Sequence, residues 1–232
     1  EKKLGQLFCD NSAKDIIAML LAEMKAAGAE LRLSTAISAV EHDGHAFRGV
    51  TEAGVVEAAS LIIATGGKSI PKMGATGFAY RIAEQFGLPL VETRAGLVPL
   101  TLDPATLAAH EGMPGVAVDV IARHGKTEFR EAALFTHRGL SGPAILQISS
   151  YWREGEEIGL HICPDVDFAS VIATARRQNG RQAVQTVLSE HMPKKLAQLL
   201  VTDLGIDGSL AEQPGRSIEA LIQKLRDWRM RP

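Results

Sequence analysis

The run Leu61-Ile62-Ile63-Ala64-Thr65-Gly66-Gly67 decides how the rest of this chain is read. Four apolar residues in succession suit a strand covered on both faces, as in a parallel or mixed α/β sheet. The two glycines after Thr65 remove side chains where a phosphate or a ring would lie. The run therefore predicts a buried strand over residues 61–64 that opens into a glycine turn and delivers backbone to a ligand.

Upstream, Asn11-Ser12-Ala13-Lys14-Asp15 predicts a helix start with Asn11 or Ser12 as cap. Ile16, Ile17, Leu20, Leu21 and Met24 follow at helical spacing until Gly28 ends the run, so one helical face is expected to be buried. Residues 30–34 alternate as a strand, and residues 37–42, 46–51 and 55–58 read as three more. Turn signals at Asp43-Gly44 and Ala53-Gly54 join the last three into a meander. Downstream, Ser69-Ile70-Pro71 reads as extended, and Gly74-Ala75-Thr76-Gly77 leads into a helix over 78–86 that stops at Gly87. The pattern then turns to β over 97–102, 116–123, 127–134 and 157–163, with a helix from Pro143 to about Tyr151 between strands. From Phe168 the texture is helical, over 168–178, 181–191, 193–204 and 217–228.

The 232 residues, 46% of them hydrophobic, suffice for a proper core. A net charge of −2 with both signs spread along the chain leaves no broad electrostatic footprint, so neither nucleic acid nor membrane is expected as a partner. No apolar run approaches the roughly 20 residues that span a bilayer, and the amino terminus lacks a signal peptide's apolar core. Cys9 and Cys163 have neither the count nor the spacing of a disulfide framework or a zinc site, so a reducing, cytoplasmic location is expected. Glu1, standing where a Met would initiate, reads as an entry point inside a longer chain.

The order helix, strand, meander, strand, Ala64-Thr65-Gly66-Gly67 resembles the glutathione reductase type of FAD-binding fold. That resemblance implies that Ala64, Thr65, Gly66 and Gly67 line the cofactor and that Ile37 contacts the adenine side through its backbone. Thr76-Gly77 also matches, but Phe78-Ala79 stands where related flavoproteins carry Asp-Gly, so no carboxylate is expected at that point. The Ala64-to-Pro71 run, Leu97-Val98-Pro99-Leu100 and Phe135-Thr136-His137-Arg138-Gly139-Leu140-Ser141-Gly142-Pro143 follow one another in this order. With them the chain resembles the BaiN-like (YhiN-type) bacterial NAD(P)/FAD-dependent oxidoreductases.

The likeness implies an α/β architecture: a partial FAD-binding domain over 1–94, a small β-barrel insert over 95–165 and a helical insert domain over 166–232. It also implies FAD as cofactor, NAD(P)H as electron donor and a small unsaturated or carbonyl-conjugated molecule as substrate. The strand-Gly-x-Gly-x-x-Gly-helix that holds the FAD pyrophosphate in this family is not among these residues, so the chain is expected to be a central portion of the whole protein. No residue is assigned as catalytic, and oligomeric state is not legible. The alternative is a non-catalytic binding or interaction module derived from a flavoprotein.

Gly139-Leu140-Ser141-Gly142-Pro143 does not fit a serine hydrolase, because a nucleophile elbow needs Gly two residues after Ser, where Pro143 stands. Ser141 is instead expected to cap a helix, with Pro143 in its first turn and Ile145, Leu146 and Ile148 on its buried side. His137, weighed as a proton donor or ligand contact beside a flavin, is expected to be a structural hydrogen-bonding residue. His42-Asp43-Gly44-His45 reads as a solvated hairpin tip and not as a metal site. Arg176-Arg177, Arg181 and Lys194-Lys195 read as helix C-terminal charge and ordinary solvated faces, with an RNA or DNA contact as the lesser alternative.

Overall fold

Ser12 starts the first helix: its hydroxyl accepts from the Lys14 amide at 3.2 Å, and α1 runs over Lys14–Ala26. The helix closes with the Gly28 amide returning to Lys25 and the Ala29 amide to Met24, a paired arrangement that satisfies the last carbonyls. The computed structural model describes residue 5 and residues 7–232; Glu1, read above as an entry point, lies outside them. The chain divides into two units, Glu1–Val91 and Glu92–Pro232.

In the first unit, β1 (Ile37–His42), β2 (Phe47–Thr51) and β3 (Gly54–Ala58) form the expected antiparallel meander in that order. The Asp43 carboxylate accepts from the His45 and Ala46 amides and so fixes the first turn. These amide bonds hold its carboxyl below the usual carboxylate range. α2 (Phe78–Gln85) is tied to the meander by the Gln85 amide, which donates to the Val40 carbonyl at 2.6 Å, and by Phe86 set edge-on to Phe47. Val40 and Ile82 are the only fully buried hydrophobic side chains described in this unit.

Several expectations fail here, for one physical reason. A strand exists only where a neighbour supplies ladder hydrogen bonds, and an apolar helical face is buried only where something covers it. Residues 61–64 form no strand among the described residues, and Ile62 is 87% exposed. Residues 30–34 form no strand either; Arg32 turns back on Glu30 in a two-bond pair, and Ser34 takes φ 52°. The apolar face of α1 is exposed, with none of its residues buried. The stretch expected to be extended at Pro71 instead forms a short 3-10 turn, Pro71–Met73.

The second unit is built on a six-stranded antiparallel sheet. Its strands are β4 (Leu100–Thr101), β5 (Ala117–His124), β6 (Thr127–Thr136), β7 (Gly139–Ser141), β8 (Ile158–Ile162) and β9 (Trp228–Met230), in the order β4-β7-β6-β5-β8-β9. Alternate residues Val118, Val120 and Ala122 of β5 point inward, and α4 (Pro143–Ser149) covers them with Ala144, Ile145 and Ile148, all three fully buried. Around this lie α3 (Pro104–Ala109), α5 (Phe168–Asn179), α6 (Val184–Ser189), α7 (Lys194–Asp203) and α8 (Gly215–Arg226), whose inner faces join the same hydrophobic cluster. Burial of this kind stabilises by roughly 25 cal/mol per Å² of apolar surface removed from water.

Corrections in this unit are local. The strand expected over 97–102 shrinks to β4, because Leu97 takes φ 55° and the Leu97 and Val98 amides donate to the hydroxyls of Ser150 and Ser149. Ser141 is not a helix cap: it belongs to β7, and Gly142 precedes α4, with Leu146 only half-buried. The helix expected over 181–191 is cut to α6, because extended Ala183 bridges to Ser209. Trp228 leaves the last helix to pair with Leu160 in the sheet. None of the described helices is long and apolar enough to cross a membrane.

Candidate functional site

Two places concentrate the unusual local chemistry. The first is the glycine corner. Ala64, Thr65 and Gly66 are exposed, Gly66 takes φ +70°, and a Cβ built there would meet nothing within 4 Å. Gly67 is different: a Cβ there would stand 2.8 Å from the Tyr80 hydroxyl. Lys68 lies over the Tyr80 ring with its ammonium 5.3 Å from the centroid, and a Cβ on Gly77 would come 3.3 Å from the Lys68 side chain. The structure thus brings Gly67, Lys68, Gly77 and Tyr80 together. Thr76 serves the start of α2, its hydroxyl accepting from the Phe78 amide at 3.4 Å. Ile37 stands at the beginning of β1 opposite Thr51, and no hydrogen bond or ring contact among the described residues joins it to the corner.

The second place is a cavity of about 600 Å³ in the other unit, which the sequence reading missed. Leu102, Met113 and Phe135 supply apolar walls, and His110, Glu111, His137 and Lys195 supply polar ones. Asp103 begins α3 as its cap, accepting from the Ala105 and Thr106 amides and the Thr106 hydroxyl, and so fixes where the helix starts; His110 stands at its other end as the C-cap. The Thr106 hydroxyl, foremost, holds the Asp103 carboxyl below its usual range. The His110 ring stands edge-on to Phe135 and Trp228, with centroids 5.9 and 5.6 Å away. Its Nδ1 is shut off from solvent without a hydrogen-bond partner. Burial, reinforced by the Lys224 charge, pushes the imidazole below the ordinary histidine value, which favours the neutral ring.

The run Thr136-His137-Arg138-Gly139-Leu140-Ser141-Gly142 forms the turn from β6 into β7 on the cavity's wall. Thr136 organises it: its hydroxyl donates to the Gly139 carbonyl at 3.1 Å and accepts from the Arg138 amide at 3.3 Å. Gly139 (φ +143°) and Gly142 (φ +89°) are pressed against neighbouring backbone; a Cβ on Gly142 would meet the Ala132 carbonyl at 2.7 Å. His137 projects as an exposed residue at this turn. His110 and Lys195, 85 residues apart, carried no motif; the Asp103-Pro104 helix-start signal could have directed attention to His110. Among the described residues no group of His, Cys, Asp and Glu could hold a metal ion.

Comparison with known proteins adds what geometry alone does not. Residues 1–134 match the HI0933-like protein Rossmann domain, and residues 94–232 match the HI0933-like protein barrel and H2TH domain. The chain is 45% identical over 235 aligned positions to a protein of Escherichia coli K12 named ribosomal RNA dihydrouridine synthase. It is 38% identical over 240 positions to a protein of the same name from Haemophilus influenzae. Each alignment covers all of this chain, which spans 58% and 59% of those relatives.

These names overturn two expectations. The relatives' substrate is ribosomal RNA, not a small free molecule, and the expected absence of a nucleic-acid partner is corrected with it. Net charge misled because it averages over the whole chain, whereas RNA contact needs only a few local cations. With Rossmann and barrel-H2TH matches that together cover its full length, this chain belongs to the HI0933-like family.

Proposed function

We propose that this chain is part of a flavin-dependent enzyme that reduces uridine in ribosomal RNA to dihydrouridine. The observation that carries this is the identity of 45% and 38% to two proteins named for that activity, in alignments that cover the whole chain. The product differs from uridine by two hydrogens across the C5–C6 bond, which is conjugated to the C4 carbonyl, so the reaction needs a hydride at C6 and a proton at C5. A reduced flavin, bound as FAD and recharged by NAD(P)H, supplies the hydride in this scheme.

The protein's task is then to hold the nucleotide cofactor by backbone and to keep the reacting face dry. Ala64, Thr65 and Gly66 suit this: they are small and exposed, and there is open space beside Gly66 where a ring or phosphate can lie against the main chain. We assign them, with Gly67 and Ile37, to the cofactor side, as in the BaiN-like flavoproteins. Gly67 contributes by letting Tyr80 approach. We divide the chain correspondingly into a flavin-side part over 1–94, a β-rich part over 95–165 and a helical part over 166–232.

The test is nucleoside mass spectrometry of ribosomal RNA from cells with and without the gene. Dihydrouridine is expected to disappear on deletion and return with the intact gene; an unchanged level refutes the assignment.

A further inference from the structure

Beside the 600 Å³ cavity lies a second one of about 430 Å³, which shares Glu111, Met113 and Lys195 with it and adds Lys194, Gln185 and Gln198. Both volumes fall in the range of roughly 300–1,000 Å³ found for small-ligand sites. Their shared wall carries an ammonium, Lys195, beside a carboxylate, Glu111, and neither Lys194 nor Lys195 enters an ion pair among the described residues. A single small ligand needs one pocket. Two pockets meeting at an unpaired ammonium suit a polymer whose units are joined by anions.

The larger cavity also has the chemistry of a uracil edge, which presents a carbonyl, an N–H and a second carbonyl. With Nδ1 of His110 sealed among aromatic rings, Nε2 is the ring nitrogen left to interact, and in the neutral ring it serves best as the donor, because a buried N–H without an acceptor is the costlier arrangement. Glu111 supplies a carboxylate that accepts an N–H, and Met113 and Phe135 give the apolar wall for a base. Cytosine has no N–H at its ring N3 and matches this set less well.

The geometry points to these paired cavities as the site that holds two successive nucleotides of single-stranded RNA, with a uracil in the larger one and the linking phosphate at Lys195. The inference rests on the function proposed above and names how its substrate is gripped. Exposed Lys195 acts as an electrostatic contact and His110 as a base contact, so the two have separable signatures.

The test is fluorescence anisotropy of the full chain with a short labelled uridine-rich RNA at several salt concentrations. K195Q is expected to weaken binding about tenfold and to lower the slope of log affinity against log salt by about one. H110F is expected to keep the slope, weaken binding about tenfold and shrink the preference for uridine over cytidine oligonucleotides. Should H110F fail to fold, K195Q, on an exposed position, still carries the test. Wild-type affinity and slope in K195Q overturn the cavity assignment while leaving the dihydrouridine assignment standing. NADPH that displaces the RNA from wild type, and binds K195Q more weakly, also overturns it by giving the cavity to the electron donor. Ribosomal RNA that retains its dihydrouridine without the gene refutes the function itself, whatever the oligonucleotide does.

Discussion

The Tyr80 hydroxyl stands 2.8 Å from the point that a Cβ on Gly67 would occupy. A methyl group at residue 67 therefore has to displace the tyrosine, and Lys68, which rides on its ring, moves with it. G67A is expected to destabilise the first unit by about 1 kcal/mol, the ordinary scale of a modest overpacking. Adding Y80F removes the clashing oxygen and is expected to recover most of the loss. Denaturant unfolding of the three variants measures this, and a G67A chain as stable as wild type shows that Tyr80 does not demand the glycine.

Gly142 gives a stronger case. Its φ of +89° is strained for any side chain, and a Cβ would meet the Ala132 carbonyl at 2.7 Å and the Leu134 amide at 2.9 Å. Backbone cannot swing aside as a side chain can. G142A is expected to cost more than about 2 kcal/mol, strain and clash acting together. A smaller shift of the denaturation midpoint, at unchanged slope, counts against that account of the motif.

The second unit should lose stability on acidification. Burial lowers both His110 and His161 below their ordinary value, with Lys224 adding to the first and Arg123, Arg226 and Arg130 to the second. In each case the unfolded chain takes up its proton first, so stability is intact above about pH 6.5 and falls as pH drops through the lowered folded values. H110F, which keeps an aromatic ring against Phe135 and Trp228, is expected to flatten part of that dependence in thermal unfolding between about pH 7 and 5. A curve parallel to wild type excludes His110 as a source.

Cys163 is expected to be chemically quiet. Burial foremost, with Asp119 nearby, pushes its thiol up to about 11, and the Sγ donates to the His191 carbonyl. At pH 8 the thiolate fraction then falls on the order of a hundredfold below that of a free cysteine, and alkylation slows with it. Mass spectrometry after iodoacetamide treatment should find Cys163 unmodified in the native protein and modified in urea. Rapid native labelling at Cys163 refutes the shift.

The sequence by itself determined the elements whose signals are local. The meander turns at Asp43-Gly44 and Gly54, the helix start at Ser12 and stop at Gly28, and the long strands β5, β6 and β8 follow from turn chemistry and side-chain alternation within a few residues. The family likeness, too, was carried by contiguous runs. Tertiary structure alone decided where partners come from. The Leu61–Ala64 run reads as a strand, yet has no ladder neighbour among the described residues; β4 keeps only two residues of the strand expected over 97–102, and β7 and β9 are too short to read at all without the strands they pair with. The cavity was invisible for the same reason: His110, His137 and Lys195 meet only because α3, the β6–β7 turn and α7 converge, and side chains so far apart in the chain have no common sequence period.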